Sequence, residues 1–172
     1  MITLNERLIR LQARPATKQE AIRQAGQLLV DNGNIEAGYI PSMLNREKVN
    51  NTYLKNGIAI PHGMPQDSHL IKQTGICVVQ VPKGVTWNPG ETATLVVGLA
   101  ANSPDHLDAL RRLTRLLSDQ EQIALLSQTT DPRDLIEALT GERPAATLSF
   151  VRSIVLWGQN LVKKWRGHDM DT

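Results

Sequence analysis

The chain has 172 residues, 41% hydrophobic and 21% charged, with a formal net charge of +2, which fits one globular domain with a real core and excludes a disordered chain or two ordinary domains. Its single Cys77 excludes an intramolecular disulfide and, within the apolar run Ile76-Cys77-Val78-Val79, reads as a small core residue. One Phe, three Trp and two Tyr are too few for a base-stacking platform, and the main body carries no basic face, so nucleic acid is not expected as a partner.

The opening segment, Met1 to Arg14, has Ile2 and Leu4 alternating as in a strand. It lacks the basic-then-apolar pattern of a secretory signal, so a cytoplasmic location is expected. Thr17 and Glu20 form a capping box for a first helix, in which Ala21, Ile22, Ala25, Leu28 and Leu29 recur on one face before Gly33 stops it. A second helix, about Glu36 to Asn45, places Tyr39, Ile40, Met43 and Leu44 on its apolar side and tolerates Pro41 only in its first turn, with Arg46 at its end. The polar stretch from Glu47 to Thr52 precedes Tyr53-Leu54 and the segment Asn56-Gly57-Ile58-Ala59-Ile60-Pro61-His62-Gly63.

In that segment Ile58 and Ile60 alternate as strand residues do, Pro61 stops the ladder for want of an N–H, and Gly63 allows a sharp turn. His62 is thereby displayed at the mouth of a strand. An imidazole is largely neutral and nucleophilic near pH 7, yet a lone histidine in a loop is more often a hydrogen-bonded spectator. No metal-ligand spacing and no neighbouring Ser or Cys nucleophile decides between the two.

Met64 to Gln73 lacks apolar periodicity and reads as a surface loop with His69 as a bystander. Thr74 to Val81 is a strand covered on both faces, Lys83 to Trp87 a short turn into an edge strand, and Thr94 to Ala100 a second buried strand. Ser103-Pro104-Asp105 supplies an N-cap with Pro at the first helical position, so His106 lies in the first turn of a helix that turns Leu107, Leu110, Leu113, Thr114 and Leu117 inward. Helices over Asp119–Ser127 and Asp131–Thr140 follow, the second closed by Gly141. Helices interleaved with buried strands imply an α/β sandwich with a mixed, mostly parallel sheet, whose sites collect at the carboxyl ends of strands.

The stretch from Asn56 to Gly63 resembles the active-site segment of the mannitol/fructose-type enzyme IIA of the bacterial sugar phosphotransferase system. The resemblance runs from about Ala16 to Glu142 and includes Asn45-Arg46-Glu47, Gly98-Leu99-Ala100-Ala101 and Asp105-His106-Leu107. It implies the enzyme IIA fold and makes His62 the phosphorylated residue, taking its phosphoryl group from HPr or an HPr-like domain and passing it to a cysteine of enzyme IIB. It also implies that Arg46 lines the site, that His106 is its second histidine, and that Thr52 contacts the phosphate. A fixed guanidinium suits phosphate oxygens, and the first turn of a helix favours an anion. No metal or organic cofactor is required. The second function kept in view is a regulatory module of the nitrogen-related enzyme IIA type, acting by phosphorylation-dependent protein binding.

Residues 1–142 form the expected domain, 143–147 a linker and 148–172 a basic tail. Residues 143–172 carry five Lys or Arg against two Asp or Glu, whereas the preceding part is nearly neutral. Val151, Ile154, Val155, Leu161, Val162 and Trp165 share one helical face, so the tail is read as an appended helix packing on the domain or on a second copy, or lying on a membrane surface. Members of the resembling group continue into further domains. This chain is therefore expected to take its phosphoryl donor in trans, or to be a piece of something longer.

Overall fold

The computed structural model describes residues 4–102 and 106–141, with residues 106–109 described through their backbone alone. The chain divides into a unit Met1–Gly141 and a second, Glu142–Thr172; the expectations for a linker and a basic helix fall on the second and lie outside the described residues.

Five strands form one mixed sheet: β1 (Ile9–Arg10), β2 (Tyr53–Lys55), β3 (Ile58–Ala59), β4 (Gly75–Asn88) and β5 (Glu91–Ala100), in the order β1-β4-β5-β3-β2. The β1–β4 and β3–β5 pairs are parallel, and β4–β5 and β2–β3 antiparallel. The longest ladder is the β4–β5 hairpin. It overturns the turn expected at Lys83 to Trp87, because β4 runs on to Asn88 and absorbs Gly84, at φ +73°, as an irregularity in the register. The reversal comes later, at Pro89-Gly90. Residues 75–81 and 95–100 are buried throughout, as their unbroken apolar runs imply.

Helix α1 (Lys18–Asp31) begins where the Thr17 hydroxyl accepts from the Glu20 amide at 3.2 Å. The Glu20 carboxylate accepts from Ala16 N at 2.7 Å, so the capping box closes one residue early. Helix α2 (Tyr39–Val49) starts and ends later than its apolar pattern indicates. Pro41 falls in its first turn, where an amide has no intrahelical partner to lose, and Arg46 lies inside the helix. The opening segment forms a 3-10 turn, Glu6–Leu8, before β1, so Leu4 precedes the strand, and Ile2 lies outside the described residues. A second 3-10 turn, Pro65–Leu70, lies within the expected surface loop.

Helices α3 (His106–Leu116), α4 (Gln120–Gln128) and α5 (Pro132–Thr140) complete the described unit. The two faces of the sheet are separated by parity on β4: Cys77 donates to Ala25 O of α1 at 3.1 Å, while Gln80 donates to Leu126 O of α4 at 2.9 Å. Leu113, Leu116 and Leu117 bury the inner face of α3 and its end, whereas Thr114 is exposed and donates to Leu110 O, contrary to its expected place. No helix among the described residues is long and apolar enough to cross a membrane.

Candidate functional site

The hairpin β2–β3 delivers the histidine. Asn56 and Gly57 both have positive φ, +54° and +83°, and form the two-residue turn that joins the strands, for which Asn-Gly is the favoured pair. Beyond Ala59 the chain stays extended: Ile60 N donates to Thr52 O, Leu99 N donates to Pro61 O, and His62 bridges Leu99 in parallel register. Pro61 thus spends its carbonyl on β5 and needs no donor of its own. Because β3 and β5 run parallel, their carboxyl ends lie at one end of the sheet, where His62 and Ala101 border the same hollow.

Nδ1 of His62 lies 2.8 Å from Ile60 O. A carbonyl only accepts, so in the neutral ring the proton sits on Nδ1 and Nε2 keeps its lone pair. The ring is half-buried and borders a hollow of about 580 Å³ shared with Arg46, Thr52, Tyr39, Ile71 and Leu110.

Three of the four expected site residues therefore line one hollow. Arg46 approaches it from α2, with Nη1 donating to Asn50 O at 2.6 Å. His106 opens α3, the helix that contributes Leu110 to the same hollow, but its side chain lies outside the described residues. Thr52 borders the hollow with its one hydroxyl proton already spent, donated to Glu47 Oε2 at 2.6 Å. In this arrangement the Thr52 hydroxyl oxygen offers the hollow lone pairs.

Tyr39 and Ser42 were legible only as helix residues, yet they hold the chain just past His62. Tyr39 OH accepts from Gly63 N at 2.9 Å and Ser42 Oγ from Met64 N at 2.8 Å. With Arg46 they fall at i, i+3 and i+7, one stripe of α2. Gly63 does not have a positive φ; it is glycine because a Cβ there would lie 2.4 Å from the Tyr39 ring. Burial pushes the Tyr39 phenol above its ordinary range, the Gly63 amide pulls it back, and the Asp67 carboxylate adds to the rise. His69 is exposed and outside this arrangement, as expected.

The family described as phosphoenolpyruvate-dependent sugar phosphotransferase system, EIIA 2, matches residues 2–141. The chain belongs to this EIIA family. It is 51% identical over 140 residues to a multiphosphoryl transfer protein of Xanthomonas campestris, a match covering 81% of this chain but 17% of that protein's length. It is 38% identical over 136 residues to the mannitol-specific phosphotransferase enzyme IIA component of Bacillus subtilis, covering 79% of this chain and 95% of the other. Among solved structures, the complex of mannitol enzyme IIA with phosphorylated mannitol enzyme IIB from Escherichia coli matches with a TM-score of 0.76 and 37% identity, over 83% of this chain and 100% of the other.

Proposed function

We propose that this chain is a phosphoryl carrier of a mannitol/fructose-class sugar phosphotransferase system, accepting a phosphoryl group from HPr or an HPr-like domain on His62 and passing it to a cysteine of enzyme IIB in the cytoplasm. The observation that carries this is the 2.8 Å approach of His62 Nδ1 to Ile60 O, which in a neutral imidazole holds the proton on Nδ1 and leaves the Nε2 lone pair free, in a ring that lines an open hollow together with Arg46. In the first step that lone pair attacks phosphorus, a P–N bond forms, and the P–N bond to the donor imidazole breaks with its electron pair returning to the donor. In the second step a thiolate of enzyme IIB attacks the same phosphorus and Nε2 recovers its lone pair.

Arg46 holds the equatorial oxygens, and His106, at the amino end of α3, supports them from the opposite element. Positioning and charge stabilisation suffice for this chemistry. Incubation with phosphoenolpyruvate, enzyme I and HPr, followed by a panel of enzyme IIB proteins, is the test. Stoichiometric phosphorylation and onward transfer to a mannitol- or fructose-class enzyme IIB are expected. A chain that takes no phosphoryl group, or passes it to none of the panel, contradicts the proposal.

A further inference from the structure

With His62 as the carrier proposed in the preceding subsection, we infer that Glu47 is a positioning residue for phosphoryl transfer, because its buried carboxylate fixes the loop that aims Arg46. Glu47 follows Arg46 on α2 but turns inward, with its side chain only 4% exposed. A carboxylate so placed is costly unless its lone pairs find donors. Oε1 receives Lys18 Nζ at 3.1 Å and Trp87 Nε1 at 2.9 Å; Oε2 receives Thr52 N at 2.9 Å and Thr52 Oγ1 at 2.6 Å. These donors come from the first residue of α1, the far end of β4 and the residue before β2, so one side chain ties three separate segments to the last turn of α2.

The consequence reaches the hollow through Asn50, which lies inside the loop that Glu47 and Thr52 close. Its carbonyl takes one N–H of Arg46, which sets the direction of the guanidinium plane and leaves the remaining N–H groups for an anion. Glu47 also decides what Thr52 offers, since the proton it accepts is then unavailable to the hollow. Glu47 does not itself border the His62 hollow, so it acts through its neighbours. An amide cannot replace it. Gln has one acceptor oxygen, and its NH₂ would face either the Thr52 pair or the Lys18–Trp87 pair, breaking one half of the clamp.

The test is single-turnover phosphorylation of the full chain by phospho-HPr, comparing wild type with Glu47→Gln, Arg46→Ala and the double variant, well below their thermal midpoints. Glu47→Gln is expected to reach the wild-type stoichiometry but about 10-fold to 100-fold more slowly, the range for a displaced positioning group. In the Arg46→Ala background the same change should cost less than about 2-fold, because the effect travels through Arg46. Equal rates for Glu47→Gln and wild type would overturn the inference. So would an equal slowing in both backgrounds, the mark of a merely structural role. Should Glu47→Gln fail to fold, Thr52→Val removes one bond of the clamp and keeps the carboxylate; a slowing that vanishes without Arg46 supports the inference and an unchanged rate overturns it. A wild-type chain that accepts no phosphoryl group would instead contradict His62 as carrier.

Discussion

Two nucleophilic side chains flank consecutive residues of β5: Cys77 pairs with Gly98, and His62 bridges Leu99. They share a level in the sheet and differ in everything that governs reactivity. Cys77 lies inside β4, near its start, under α1, fully buried, donating to Ala25 O, and burial pushes its thiol up to about 12. His62 lies past the end of β3, half-buried, with one ring nitrogen held by Ile60 O and the residue lining a hollow. Nucleophile chemistry on this sheet is therefore decided by where the strand stops, and less by which residue type it carries.

The largest expected effect is at the open end. His62→Ala should abolish phosphorylation by HPr while leaving the circular dichroism spectrum and thermal midpoint near wild type, since a half-exposed imidazole contributes little to the core. Arg46→Ala should slow transfer by about 10-fold to 1000-fold, corresponding to roughly 1.4 to 4 kcal/mol of lost charge stabilisation. Arg46→Lys should recover only part of that, because a point charge replaces a planar fork. Quench-flow rates would decide both.

Gly63→Ala probes the support of the site. The added Cβ would meet the buried Tyr39 ring at 2.4 to 2.9 Å, so a loss of about 1–3 kcal/mol of stability is expected from overpacking, together with slower transfer as the histidine moves. Denaturant unfolding measures the first.

The smallest functional effect belongs to the closed end. Cys77→Ala should leave phosphotransfer unchanged, and native protein should resist alkylation at neutral pH. Its thiol is raised from an ordinary 9.0 to about 12 in the fold. The folded state thus holds the proton more tightly, and this contribution is complete below about pH 9 and is lost as pH rises towards about 12. Wild type should lose stability across that window with an extra slope of up to about 1.4 kcal/mol per pH unit that Cys77→Ala lacks.

What the sequence made legible follows the same division. Cys77 was readable as core from its apolar neighbours, and His62 as displayed from the Pro-His-Gly break, because each signal is local. Arg46 was legible only through resemblance, since nothing local separates it from a solvated charge. Tyr39, Ser42 and Glu47 stayed hidden because their partners, Gly63, Met64 and Thr52 with Trp87 and Lys18, are set by tertiary packing. The i, i+3, i+7 spacing of Tyr39, Ser42 and Arg46 was the one available hint. Lys83-Gly84 misled for the opposite reason: turn residues were absorbed by a long antiparallel ladder whose pairing outweighs local preference. Asn56-Gly57 is itself a local hairpin signal, since both residues tolerate the positive φ of the β2–β3 turn.

With Nδ1 of His62 held 2.8 Å from Ile60 O, Nε2 is the proposed phosphoryl acceptor. Nitrogen and phosphorus NMR of histidine-labelled protein after phosphorylation by HPr tests it most directly. One acid-labile phosphoryl group on Nε2 of His62, absent in His62→Ala, is the expected result; phosphate on Nδ1, or on a different side chain, would contradict it.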